Sequence, residues 1–223
     1  MEHNENAGND LRLFYAHCRR KGNRMPAPTY LYDLLVSYWP PAEDQFAAVW
    51  AEDLSTVEAA TRLGADLTTA TPCSLRGIGG GFFNDAERPA DADGIILVGE
   101  CRSWTLAVQV QQLDIVEEWA LSALSRNGGR AIGLYWHVNG GHRVVYAMDG
   151  IVVSSGDMRY IPAPLEGYAE GLRMPDTDED DDLSDEEMIT TALKLAGRVT
   201  GERINEDWLY DPQTRYIIRA AGT

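Results

Sequence analysis

Twelve positions from Asp176 to Glu187 read D-T-D-E-D-D-D-L-S-D-E-E, a crowd of hard oxygen donors. Asp176, Asp178 and Asp180 stand where a calcium loop places its first, third and fifth ligands. Asp182 falls at the seventh position and Glu187 at the twelfth, the bidentate one. Asp181 occupies the sixth position, where such loops need glycine for a sharp turn, and Pro175 cuts short any entering helix. A second reading competes. An aspartate-rich tract is also what a solvated linker looks like, and Ser184 to Glu187 forms a helix capping box in either case. The solvated linker is the favoured reading, so no cofactor is expected, with calcium at this loop as the alternative.

The other chemistry-bearing residues are sparser. His137 and His142 flank the turn Asn139-Gly140-Gly141 and could face each other across a hairpin, but no third metal ligand accompanies them. Asp114, Glu117 and Glu118 open a helical stretch, where a carboxylate pair could act as acid and base. Acids in a first turn are equally explained by the helix dipole. Cys73 has no context that marks a nucleophile. The chain has no Gly-x-Ser-x-Gly elbow and no His-Glu-x-x-His helix. Gly77-Ile78-Gly79-Gly80-Gly81-Phe82 fails as a nucleotide loop, because Phe82 replaces the third glycine and no Gly-Lys-Ser/Thr follows. Trp104, Trp119 and His137 form the candidate ligand-binding set, a concentration of aromatic area beside an imidazole. Trp136 adds to that area, and a core role explains the tryptophans equally well.

The elements that must position these residues follow from periodicity. Leu11, Phe14, Tyr15 and Cys18 recur at helical spacing, as do Leu31, Leu34, Leu35 and Tyr38, which predicts an N-terminal helical extension over 1–40 closed by Pro40-Pro41. Phe46, Val49 and Trp50 predict a short helix. Ser55-Thr56-Val57-Glu58 is a capping box for the next helix, which ends at Gly64. Strand composition covers Ile95 to Val98, Trp104 to Val110, Ala131 to Val138, Arg143 to Met148 and Ile151 to Val153. Ile115, Val116, Trp119, Leu121 and Leu124 form a helix between the strand pairs, and Met188, Ile189, Ala192, Leu195 and Val199 form the last one. The expected fold is α+β: an antiparallel meander of about five strands with helices packed on one face, over 41–223, with an acidic loop at 174–183.

One resemblance can be read from the centre of the chain. Trp104-Thr105-Leu106-Ala107-Val108, then Leu124-Ser125-Arg126, Tyr135-Trp136-His137-Val138-Asn139 and Asp149-Gly150 follow one another in order. This pattern resembles an actinobacterial family of small cytosolic proteins of unknown function. The likeness spans most of 44–220 and implies an architecture rather than an activity. In that family the position of Gln109 is often glutamate. The amide here cannot act as a general base.

Bulk properties set the remaining expectations. Net charge is −16, with −9 carried between 41 and 173 and −8 over the last fifty residues. Such a surface repels phosphate backbones, so nucleic acid is not an expected partner. No apolar run approaches the roughly 20 residues of a membrane-spanning helix, the N-terminus lacks the order of a signal peptide, and the three cysteines are widely spaced. These features predict a cytoplasmic protein with no membrane partner. The favoured function is a non-catalytic module of the regulatory or immunity type that binds a protein partner, a basic one by charge. The alternative is an enzyme or small-ligand binder with a pocket near Trp104, Trp119 and His137.

Overall fold

A computed structural model describes residues 31–75, 77, 92–109, 114–161, 163–172, 184–202, 209 and 212–219. The calcium-type positions Asp176, Asp178, Asp180 and Asp182, and the aromatic stripe from Leu11 to Cys18, lie outside them.

Eight strands form one sheet: β1 (Gln45–Glu52), β2 (Ala65–Cys73), β3 (Ala92–Cys101), β4 (Trp104–Gln109), β5 (Arg130–His137), β6 (His142–Met148), β7 (Ile151–Asp157) and β8 (Gln213–Arg219). The order across the sheet is β2-β8-β3-β4-β1-β5-β6-β7, antiparallel at each pairing. The α+β class holds, but the expected count of about five strands is too low. Five α-helices accompany the sheet among the described residues: α1 (Leu31–Tyr38), α2 (Thr56–Arg62), α3 (Glu118–Leu124), α4 (Glu166–Ala169) and α5 (Asp185–Thr200).

The largest correction concerns β1. Phe46, Val49 and Trp50 suggest helical spacing, yet they lie in the strand between β4 and β5. Its six inner residues, Phe46 to Ala51, are all buried. A strand covered on both faces loses the polar alternation by which strands are recognised. Alternation survives in where the side chains go. Phe46, Ala48 and Trp50 join one hydrophobic cluster with residues of α1 and α5, and Ala47, Val49 and Ala51 join a second with residues of α2 and α3. Helices therefore cover both faces, not the single face expected. The molecule is a three-layer stack.

The helix boundaries follow their caps. Ser55 Oγ accepts the Glu58 backbone N–H at 3.1 Å, and Gly64, just beyond α2, takes φ +77°, the left-handed conformation expected of it. Ser184 Oγ accepts the Glu187 N–H at 3.3 Å to start α5, which ends on the left-handed Gly201. From the N-terminal segment, α1 packs on α5 and sends Leu35 into the larger cluster, followed by Trp39. No helix of the described residues is long and apolar enough to cross a membrane.

The turn Pro40–Glu43 leads from α1 into β1 and is held by one aromatic stack. Phe46 and Trp136 stack with centroids 4.4 Å apart, and Trp136 Nε1 donates to the Ala42 carbonyl at 2.8 Å. We predict that Trp136→Phe, which keeps an aromatic ring but removes this donor, destabilises the fold by about 1–3 kcal/mol in denaturant unfolding. Unchanged stability would show that the bond does not hold the turn.

Candidate functional site

Where β1 begins and β5 ends, the layer of α3 stops short of the sheet edge and leaves a cleft of about 440 Å³. Pairing fixes its floor. Gln45 lies opposite His137, and Tyr135 lies opposite both Ala47 and Arg143, so Gln45, Tyr135, His137 and Arg143 share one face. Asp114, Val116 and Glu117, from the short 3₁₀ turn (Asp114–Val116) and the N-cap of α3, form the wall.

Two features set the height of that wall. Gly133 lets it approach the sheet: a Cβ there would stand 3.1 Å from Val116 Cγ1 and 3.3 Å from Leu121 Cδ2. Gln109, 1% exposed in β4, accepts the Ile115 backbone N–H through Oε1 at 2.8 Å. A glutamate could make the same bond only by burying a charge or taking up a proton, so the amide suits an anchoring role. Gln109 thus positions the turn that carries Asp114.

The charges in the cleft are unevenly matched. Arg143 Nη1 contacts both oxygens of Glu117 at 3.0 Å, its Nη2 lies 3.6 Å from Glu118, and its Nε and Nη2 donate to Ser155 Oγ at 3.2 and 2.8 Å. Glu117 thus has its cation in Arg143. Asp114 has no cation paired with it among the described residues. Asp114 is exposed, and the partial burial of its carboxyl pushes it above the ordinary range, with the neighbouring Asp93 and Glu117 pushing it further. His137 Nδ1 accepts the Asn139 N–H at 3.0 Å, which assigns the ring proton to Nε2 in the neutral form. Among the described residues the cleft offers one carboxylate without a paired cation, an imidazole, a phenol and an amide beside an apolar Val116.

Of the three residues expected to share a pocket, only His137 lines this cleft. Trp104 is 3% exposed at the opposite end of the strands and on the opposite face, in the larger cluster. The Arg130 guanidinium lies 5.2 Å from its ring centroid and holds Glu52 bidentately, at 2.7 Å through Nε and 2.5 Å through Nη2. That contact holds the Glu52 carboxyl below its usual range. Trp119 stands on the first turn of α3 and is 52% exposed. His142 does not meet His137. It pairs opposite Trp136, faces the other layer, and has Nε2 4.0 Å from Asp185 Oδ1.

Glu187, the one calcium-type position within the described residues, sits in the capped first turn of α5. Among the described residues no group of three or more His, Cys, Asp or Glu side chains could hold a metal ion. Burial raises the thiols of Cys73 and Cys101, which makes both poor nucleophiles at neutral pH. No family model matches this chain, and no curated protein and no solved structure does either.

The state of Asp114 has a measurable consequence. A carboxyl whose pKa is raised by folding binds its proton more tightly in the native state, so stability falls as pH rises through the interval from the unfolded to the folded pKa. Ionised Asp114 therefore weakens the fold at neutral pH. Asp114→Asn should raise the Tm at pH 7, and the gain should vanish near about pH 3, below the ordinary carboxylate range. A Tm that falls at pH 7 would mean that Asp114 has a stabilising partner.

Proposed function

We propose that this chain is a non-catalytic interaction module, of the regulatory or immunity type, that takes a basic protein partner on the face of α3. One observation carries the reading: Trp119 leaves half of its surface in water on the first turn of α3, flanked by Glu117 and Glu118 and next in sequence to the wall of the cleft. A large half-exposed aromatic side chain beside charged residues is what interface anchors look like. The charge of −16 supports a basic partner, since opposite charge speeds encounter and selects against acidic competitors.

Small-ligand binding is the second reading. A cleft of about 440 Å³ is within the size range of small-molecule sites, and it differs from the pocket the sequence suggests by lacking Trp104.

The interaction reading is tested by retention from native cell extract. Trp119→Ala should retain the partner at least about tenfold more weakly than wild type, a hot-spot loss, while the Tm falls only slightly because half of the side chain is already in water. Equal retention by both proteins, or a partner retained by neither, would remove its support.

A further inference from the structure

We propose that the cleft between the Asp114–Val116 turn and the start of β1 is a receptor for one basic head group, guanidinium or ammonium, with Asp114 as its counter-ion. This rests on the interaction-module reading, in which the head group belongs to an arginine or lysine side chain of the partner.

The argument begins from charge and placement. Two carboxylates, Asp114 and Glu117, stand on the wall of the cleft. The cation that lines the cleft, Arg143, is already paired with Glu117 and donates to Ser155. An incoming anion would meet an occupied guanidinium and the field of Asp114. An incoming cation would meet Asp114, with which no cation is paired among the described residues.

The shape agrees with that sign. The half-buried Tyr135 and the Val116 side chain give the cleft apolar lining, against which a flexible aliphatic stem or a flat guanidinium can lie. The Tyr135 hydroxyl, the Gln45 amide oxygen and the His137 ring are further hydrogen-bonding groups at the lining. The anchor is rigid. Asp114 is carried by a turn tied to buried Gln109, and Gly94 leaves room for that amide, since a Cβ there would come within 2.9 Å of Gln109 Nε2. A group held in place before binding loses little freedom on binding.

The probes are N-acetyl-arginine amide and N-acetyl-lysine amide, with N-acetyl-citrulline amide as the neutral match in shape, titrated into the ¹⁵N-labelled full chain. Both cations should shift the amide signals of Asp114, Glu117 and Tyr135 saturably, while citrulline should not. Asp114→Asn should weaken the cations by about tenfold or more, the loss typical of an interface anchor. Equal shifts with citrulline, undiminished binding by Asp114→Asn, or unmoved cleft signals would each overturn the proposal. A competition arm separates the sources of the head group. Release of the retained partner by N-acetyl-arginine amide assigns the head group to that partner, and cation binding without any retained protein assigns it to a free basic metabolite and sinks the module reading instead. Partner retention that still depends on Trp119 while the cleft stays silent overturns this inference and leaves the module intact.

Discussion

The rest of the structure depends on β1 having no face in water. It lies between β4 and β5, which take up its backbone hydrogen-bonding groups from both sides, and its side chains point alternately into two separate hydrophobic clusters. Each of those faces is apolar, so each must be covered, and a single layer of helices could cover only one. Three layers are the consequence. The two faces are also graded by size. Phe46 and Trp50 point to the α1 and α5 side, while Ala47, Val49 and Ala51 point to the α2 and α3 side. Small side chains on that second face, with Gly133 beside them, let α3 and its preceding turn come close to the sheet.

The cleft is a product of that arrangement. Helix α3 is only seven residues long and packs over β5, β6 and β7, so the start of β1 and the end of β5 extend past its cover. Side chains that would continue the buried face are here polar: Gln45, Tyr135, His137 and Arg143. At the other end of the same strands, the Glu52–Arg130 pair and Trp104 close the opposite layer, with Tyr168 Oη 3.5 Å from Arg130 Nη1. The two ends thus differ in kind. One has its charges matched face to face, and the other keeps Asp114 without a counter-ion among the described residues.

Much of the centre was legible from local signals. The hairpin turns at Asn139-Gly140-Gly141 and Asp149-Gly150, the Ser55 and Ser184 caps, and strands β3 to β7 declare themselves through glycine, capping residues and composition. The strands that escaped did so for physical reasons. β1 is apolar on both sides and so reads as a helix. β2 is an edge strand with Pro72, exposed threonines and a register shift between Asp66 and Thr71, and it carries little hydrophobic pattern. β8 pairs between β2 and β3, from which it is distant in sequence, and only Tyr216 and Ile217 hint at it. The site was half visible. Asp114, Glu117 and His137 drew attention by type, but Trp104 belongs to the other layer, because which face a strand residue takes is set by register. Gln45, Tyr135 and Arg143 come together only through pairings with β5, which no local pattern announces.

The claim at the centre of this account is the proposal that Asp114, a carboxylate without a counter-ion among the described residues, receives a cation. Its side-chain carbon signal, followed by ¹³C NMR against pH in the full-length chain, tests that directly. The account predicts an apparent pKa above the ordinary carboxylate range in the free protein, falling when N-acetyl-arginine amide is added. A free-state value at or below that range, unmoved by the added cation, would contradict it.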